Sequence, residues 1–134
     1  MASPLHGIRV LDFTRVLSGP HCTRMLHDMG ADVIKIEPPA GDLTRFSSPR
    51  RNGLSSYFVQ QNAGKQNVSI DLATPEGVAI VLELVDHADV LVENYRPGVM
   101  ERLGLSAEVV RARNPRLIYA SLSGYGQTGP WVHR

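Results

Sequence analysis

The sequence predicts an α/β fold: an open, mostly parallel sheet with flanking helices. Short apolar runs at residues 8–12, 32–37, 67–72, 90–92 and 117–122 have strand character, and helix signals separate most of them. Residues 90–92 read Val-Leu-Val without alternation, the pattern of a strand buried on both faces in a parallel sheet. At 134 residues the chain has room for one domain with a real core.

The first strand, 8–12, is followed by Ser18-Gly19-Pro20, a helix start with proline near the first turn, where its missing N–H costs little. Cys22, Met25, Leu26 and Met29 recur at helical spacing and are expected to face the core, with Gly30 as a left-handed cap. The strand at 32–37 stops at Pro38-Pro39. A strand, a helix and a second strand within about 30 residues imply a parallel pair joined by a right-handed crossover. Periodicity vanishes from Ala40 to Lys65, so a long functional or mobile loop is expected there.

Residues 67–72 recover strand character. Thr74-Pro75-Glu76 then opens a helix with an N-cap hydroxyl, a proline and an acid at the positive end. Val78, Val81, Leu82 and Val85 line one face of it. After the strand at 90 come Pro97-Gly98 and a short helix over 99–103, then a helix from the Ser106 cap to Arg113, stopped by Asn114-Pro115. The strand at 117–122 leads into a glycine-rich exit, 123–130.

Composition excludes several classes. Hydrophobic residues make up 43% and charged residues 20%, ordinary for a globular chain. Fourteen basic side chains balance thirteen acidic ones, without a basic run, so nucleic-acid binding has no electrostatic support. One cysteine, Cys22, allows no internal disulfide and fits a reducing compartment. There is no signal-peptide pattern, and the apolar runs are far too short to span a bilayer, so a cytoplasmic protein without membrane partners is expected. No pair of histidine, cysteine or acid has metal-ligand spacing, so no metal is expected. His6, His21, His27 and His87 read as surface or cap residues, Cys22 as core, Trp131 as packing and His133 as a frayed terminal residue.

Parallel strands deliver their following loops to one edge, where ligands of open α/β sheets bind. That edge gathers Thr14, Arg15, Ser18, Glu37, Asn94, Tyr95, Arg96, Arg102, Gly124 and Gly126, with two helix N-termini that offer free N–H groups to an anion. Guanidinium groups beside an amide and an aromatic ring suit a phosphorylated ligand with a flat base. A solvated loop would show the same residue types.

These residues also carry a family resemblance. Leu5-His6-Gly7-Ile8-Arg9-Val10-Leu11-Asp12-Phe13-Thr14-Arg15-Val16-Leu17-Ser18-Gly19-Pro20 resembles the N-terminal signature of family III coenzyme A transferases, the CaiB/BaiF family, which includes formyl-CoA transferase and α-methylacyl-CoA racemase. The likeness continues in order through Gly30 to Pro38, Asn62-Ala63-Gly64-Lys65, Asp71 to Gly77, Ala88 to Leu105, Asn114 to Ala120 and Gly124 to Pro130.

The resemblance implies a Rossmann-like domain that binds coenzyme A, with acyl-CoA and carboxylic acids as partners. By that likeness Arg15, Val16, Leu17 and Ser18 lie near the CoA chain. Ile70, Asp71, Leu72, Ala73, Asn94, Tyr95 and Arg96 meet the nucleotide, and Arg102 its phosphates. Gly64, Lys65, Gly124 and Gly126 match further binding segments. The implied reaction is acyl-CoA:carboxylate CoA transfer, with 2-methylacyl-CoA epimerisation and a non-catalytic CoA-binding fragment as alternatives.

Two positions depart from the family pattern. Pro38 stands where an arginine often reaches the phosphates, so that contact is missing or comes from Arg45 or Arg50. Leu17 replaces the glutamine of formyl-CoA transferase, which argues against formyl-CoA as substrate. Family members are roughly three times longer, so residues 1–134 match the N-terminal CoA-binding portion. The small domain, the C-terminal return segment and the catalytic groups match nothing in the chain. The family's chains interlock as dimers. Without the return segment, strand 90–92 and the Val78, Val81, Leu82 and Val85 stripe are expected to stay partly uncovered and to drive association into a homodimer or other oligomer.

Overall fold

The structure is a computed structural model that describes residues 3–132 and Arg134; His133 lies outside the described residues. Strand β1 (Arg9–Asp12) enters at the centre of the sheet and is followed by helix α1 (Ser18–Asp28) and strand β2 (Asp32–Glu37). A hairpin of β3 (Arg50–Arg51) and β4 (Leu54–Ser55), then α2 (Ser56–Asn62), precede β5 (Gln66–Ser69). Helix α3 (Pro75–Val85), β6 (Val90–Glu93), α4 (Val99–Arg102), α5 (Ala107–Arg113) and β7 (Ile118–Ser121) complete the order.

Five strands form one wholly parallel sheet in the order β5-β2-β1-β6-β7. The chain builds outward from β1 to β5, then returns to the other side of β1 with β6. The topological switch point therefore lies between β1 and β6, as in a Rossmann-like sheet.

Side-chain alternation makes three layers. Val10, Val33 and Val92 pack together on one face with Leu26 of α1. Leu11, Ile36 and Leu91 point the other way and pack with Val81 and Val85 of α3 and Val110 of α5. Helix starts behave as their caps dictate. The Thr74 hydroxyl accepts from the Gly77 amide at 3.1 Å and that of Ser106 from Val109 at 3.2 Å, each worth about 1 kcal/mol. Asn114 does more than stop α5. Its buried amide donates to the carbonyls of Val85 and Ala88 at 2.8 and 2.9 Å and fastens the end of α3 to that of α5.

Three expectations are corrected. Residues 40–65 are not one loop: they hold a 3-10 turn (Leu43–Phe46), the β3–β4 hairpin and α2, each too short to show a period. The buried face of α1 is Gly19, Pro20 and Thr23, while Met25 and Met29 are exposed and Cys22 is half-buried. A polar requirement overrides the apolar stripe there, because Thr23 bonds to buried Asp12. Trp131 is exposed and meets Tyr125 edge-on at 5.7 Å instead of packing in the core. Of the α3 stripe, Val81 and Val85 are buried while Val78 and Leu82 are half-buried and line a surface cleft; in β6, Leu91 and Val92 are buried and Val90 is half-buried, so both elements stay partly uncovered, as expected. Other exposed apolar side chains lie elsewhere, including Leu43, Phe46 and Leu54 around the hairpin and Ile118 on the sheet edge. No helix among the described residues is long and apolar enough to cross a membrane.

Candidate functional site

The carboxyl ends of β1, β2, β6 and β7 do share one edge, and several clefts open there, among them one of about 330 Å³ beside Glu93, Ser121 and Gln127 and three that run in a row. The largest of the three, about 620 Å³, is lined by Ser18, Asn94, Tyr95, Arg96, Pro97, residues 121–126, Val132 and Arg134. Gly124 and Gly126 of the glycine-rich exit therefore face the turn after β6. A second, about 350 Å³, is lined by Arg15, Ile36, Pro38, Asp71, Leu72, Ala73, Tyr95, Val99 and Leu103. It straddles the switch point. A third, about 500 Å³, brings Arg102 to Leu72, Ala73 and Thr74. Tyr95 borders the first two clefts, and Leu72, Ala73 and Leu103 border the last two.

Asn94 is the hinge pin of this edge. Its side-chain oxygen accepts from the Arg15 amide and its amide donates to the Arg15 carbonyl, both at 2.8 Å, so the loop after β1 is clamped to the turn after β6. Arg15 then lays its guanidinium over the Tyr95 ring, 4.7 Å from the centroid. Burial pushes the Tyr95 phenol above its ordinary value, with Arg15 opposing. Val16 is held at φ +69°, a left-handed conformation rare for a β-branched residue and typical of functional loops. Val16 and Leu17 leave about half of their surface exposed beside the clefts. Leu17 caps α1 without a side-chain acceptor, so the first amides of α1 stay free for an anion at the cleft where Ser18 sits.

Of the other residues singled out from the sequence, Lys65 and Ile70 turn into the fold, whereas Gly64 and Asp71 are exposed. The Lys65 ammonium is buried against the Asp12 carboxylate at 2.9 Å. It also reaches the Pro20 carbonyl, the Thr23 hydroxyl and the Asn62 side-chain oxygen, all within 2.9 Å. Burial lowers its proton affinity while Asp12 raises it. Gly64 sits at φ +84°, where an added Cβ would lie 2.0 Å from His27 Nε2. His27 is accordingly half-buried, with a sealed Nδ1, and not a plain surface residue. Ile70 lies in the core, and its amide donates to the Glu37 carbonyl at 2.8 Å. Asp71 organises its own turn by accepting from the Ala73 amide at 3.0 Å.

Arg45 and Arg50, the two substitutes for an arginine at position 38, line none of the three clefts. Arg45 forks onto the buried Glu37 carboxylate at 2.7 Å on both oxygens and stacks 3.9 Å over Phe58. Burial would raise the Glu37 carboxyl, but Arg45 and the Asp42 amide outweigh it and hold it below its ordinary value.

Sequence reasoning missed this buried ionic layer. Lys35, within an apolar strand, donates to the Thr14 carbonyl at 2.7 Å and pairs with Asp42 at 3.3 Å. Asp42 also accepts from the Thr44 amide and from Val16 at 3.4 Å, so it holds the left-handed turn from below. The available signal was a lysine at a core-facing position of β2, flanked by Ile34 and Ile36. Among the described residues no three His, Cys, Asp or Glu side chains gather into a metal-sized cluster.

The sequence model of CoA-transferase family III matches residues 5–134, nearly the whole chain. The chain belongs to that family. It is 52% identical over 131 residues to the acetyl-CoA:oxalate CoA-transferase of Acetobacter aceti, which covers 97% of this chain and 34% of that protein. To the succinyl-CoA:glutarate CoA-transferase of Mus musculus it is 49% identical over 133 residues, 98% of this chain and 30% of the relative. The crystal structure of a CaiB/BaiF family protein from Brucella suis superposes with a TM-score of 0.94 at 42% identity, over all of this chain and 37% of that one. The chain thus spans about a third of the length of these family III relatives.

Proposed function

We propose that residues 1–134 form the CoA-binding portion of an acyl-CoA:carboxylate CoA-transferase, which moves coenzyme A between carboxylic acids. The observation that carries this reading is the chain of three clefts along the carboxyl edge. Coenzyme A is long, with a flat base, phosphates and a flexible arm, and an extended row of clefts suits it better than one compact pocket. In this reading the exposed guanidiniums of Arg96 and Arg102 take phosphate oxygens, as forked donors do. The base lies by Asp71, Leu72, Ala73 and Tyr95, and the arm runs past Arg15, Val16, Leu17 and Ser18. Gly124 and Gly126 close the largest cleft. Lys65 and Gly64 act from beneath, by holding the loop that carries these groups. Transferase activity is favoured over epimerisation because the relatives above are named for CoA transfer between carboxylic acids. A cytoplasmic homodimer goes with this reading.

Titration calorimetry of the chain with coenzyme A tests it. A phosphate-facing charge contributes about 1.5–3 kcal/mol, so Arg102→Ala should weaken binding roughly ten- to hundredfold, and more than Arg96→Ala. Absence of CoA binding by the parent chain would sink the proposal. If Arg96→Ala loses affinity while Arg102→Ala does not, the assignment of the phosphate site is wrong.

A further inference from the structure

Glu93 is the last residue of β6, almost wholly buried, and no cation pairs with it among the described residues. A buried carboxylate without a counter-charge is costly unless its oxygens are hydrogen-bonded. They are, and to two different walls of the largest cleft. One oxygen accepts from the Tyr95 amide at 2.8 Å, in the turn that carries Arg96. The other accepts from the Ser121 hydroxyl at the end of β7. The Ser121 oxygen in turn accepts from the Gln127 side-chain amide at 2.6 Å, inside the glycine-rich exit. Tyr95 amide, Glu93, Ser121 and Gln127 thus form one unbranched side-chain relay between walls that are also joined by the pairing of β6 with β7 and by the Leu122 amide, which donates to the Glu93 carbonyl at 2.9 Å.

We propose that Glu93 is a positioning residue. Through Ser121 and Gln127 it fixes the glycine-rich exit against the Arg96 turn and so sets the width of the cleft between them. The inference rests on coenzyme A as the ligand of that cleft. It makes the two walls act as one body: loosening either end of the relay disorders the exit and weakens binding by the same event.

The test uses the whole chain in two measurements, the rate of chymotryptic cleavage after the exposed Tyr125 of the exit and calorimetric affinity for coenzyme A. Glu93→Ala removes both acceptors, and Gln127→Ala, at an exposed position, removes the far donor. Each should speed cleavage of the exit several-fold and weaken CoA three- to tenfold. The double variant should be no weaker than the worse single one, because one relay can be broken only once. If Glu93→Ala does not fold, Ser121→Ala takes its place in the cycle, since it cuts the relay in the middle. The inference is overturned if the Glu93 or Ser121 variant leaves cleavage of the exit at the parent rate, or if the two affinity losses multiply. Failure of the parent to bind CoA would instead refute the proposed function, and cleavage would still decide whether the relay holds the exit.

Discussion

Gly64→Ala probes whether the segment beneath the candidate site is as tightly packed as the structure shows. Two costs add at this position. The backbone sits at φ +84°, and a left-handed conformation costs a residue with a Cβ roughly 1–2 kcal/mol. The new Cβ would also lie 2.0, 2.4 and 2.8 Å from three atoms of the His27 ring. That ring cannot swing freely, because its Nδ1 is sealed from solvent, and overpacking of this kind costs about 1–3 kcal/mol. The expected loss is therefore about 2–5 kcal/mol, a fall in Tm of roughly 8–20 °C for a chain of this size.

Gly53→Ala is the internal reference. Gly53 has φ +80° with nothing within 4 Å of an added Cβ, so it should show the backbone cost alone, about 1–2 kcal/mol. Urea unfolding followed by circular dichroism, with the slope checked for constancy, gives both values. Equal losses for the two variants, within about 0.5 kcal/mol, would refute the packing argument and show that His27 yields. A second check is His27→Ala combined with Gly64→Ala, which should recover the packing part of the loss and leave the backbone part.

Lys65→Met should cost about 3–5 kcal/mol in the same urea assay, because it strands the buried Asp12 carboxylate; a loss under about 1 kcal/mol would mean that water reaches Asp12. Acid should destabilise the fold through Glu37 and Asp42. Both carboxyls are pushed up by burial, yet hydrogen bonds from Arg45 and the Asp42 amide in one case, and from Thr44 in the other, hold them below their ordinary values of 4.5 and 3.8. A carboxyl with a lowered folded value contributes stability above its unfolded value and loses it as pH falls through the folded one. The urea midpoint should therefore be flat near neutrality and fall below about pH 4.5. Arg45→Gln should shallow that fall, and an unchanged acid limb in this variant would refute the assignment.

Much of the scaffold was legible because each signal was local. Thr74 and Pro75, Ser106, and Pro38 mark boundaries by their own chemistry, and the predicted ends of β2 and α5 match the observed ones. The hairpin region was not legible, because its elements are fixed by partners far along the chain. Arg45 grips Glu37, and Asp42 caps the 3-10 turn while pairing with Lys35. Sequence spacing also brought the right loops to one edge, yet it could not say which polar groups face a cleft. Arg102 and Lys65 are both cations near a glycine, but Arg102 lines a cleft and Lys65 is sealed under α1. Only the fold distinguishes them.

The face of the sheet under α1 is divided along its length: Val10, Val33 and Val92 fill one half, and Asp12, Lys35 and Lys65 the other. For β2 this division acts as an alignment key. Val33, Ile34 and Ile36 would satisfy apolar layers above or below the sheet almost equally, so burial alone discriminates weakly between neighbouring pairings with β1. A slip by one residue would turn Lys35 into the α3 layer and set an isoleucine beside Asp12. An uncompensated ammonium in that layer would make the slipped sheet prohibitively unstable. The ions that hold the carboxyl edge of the sheet therefore also let the four-residue β1 find a single alignment with β2 as the chain folds.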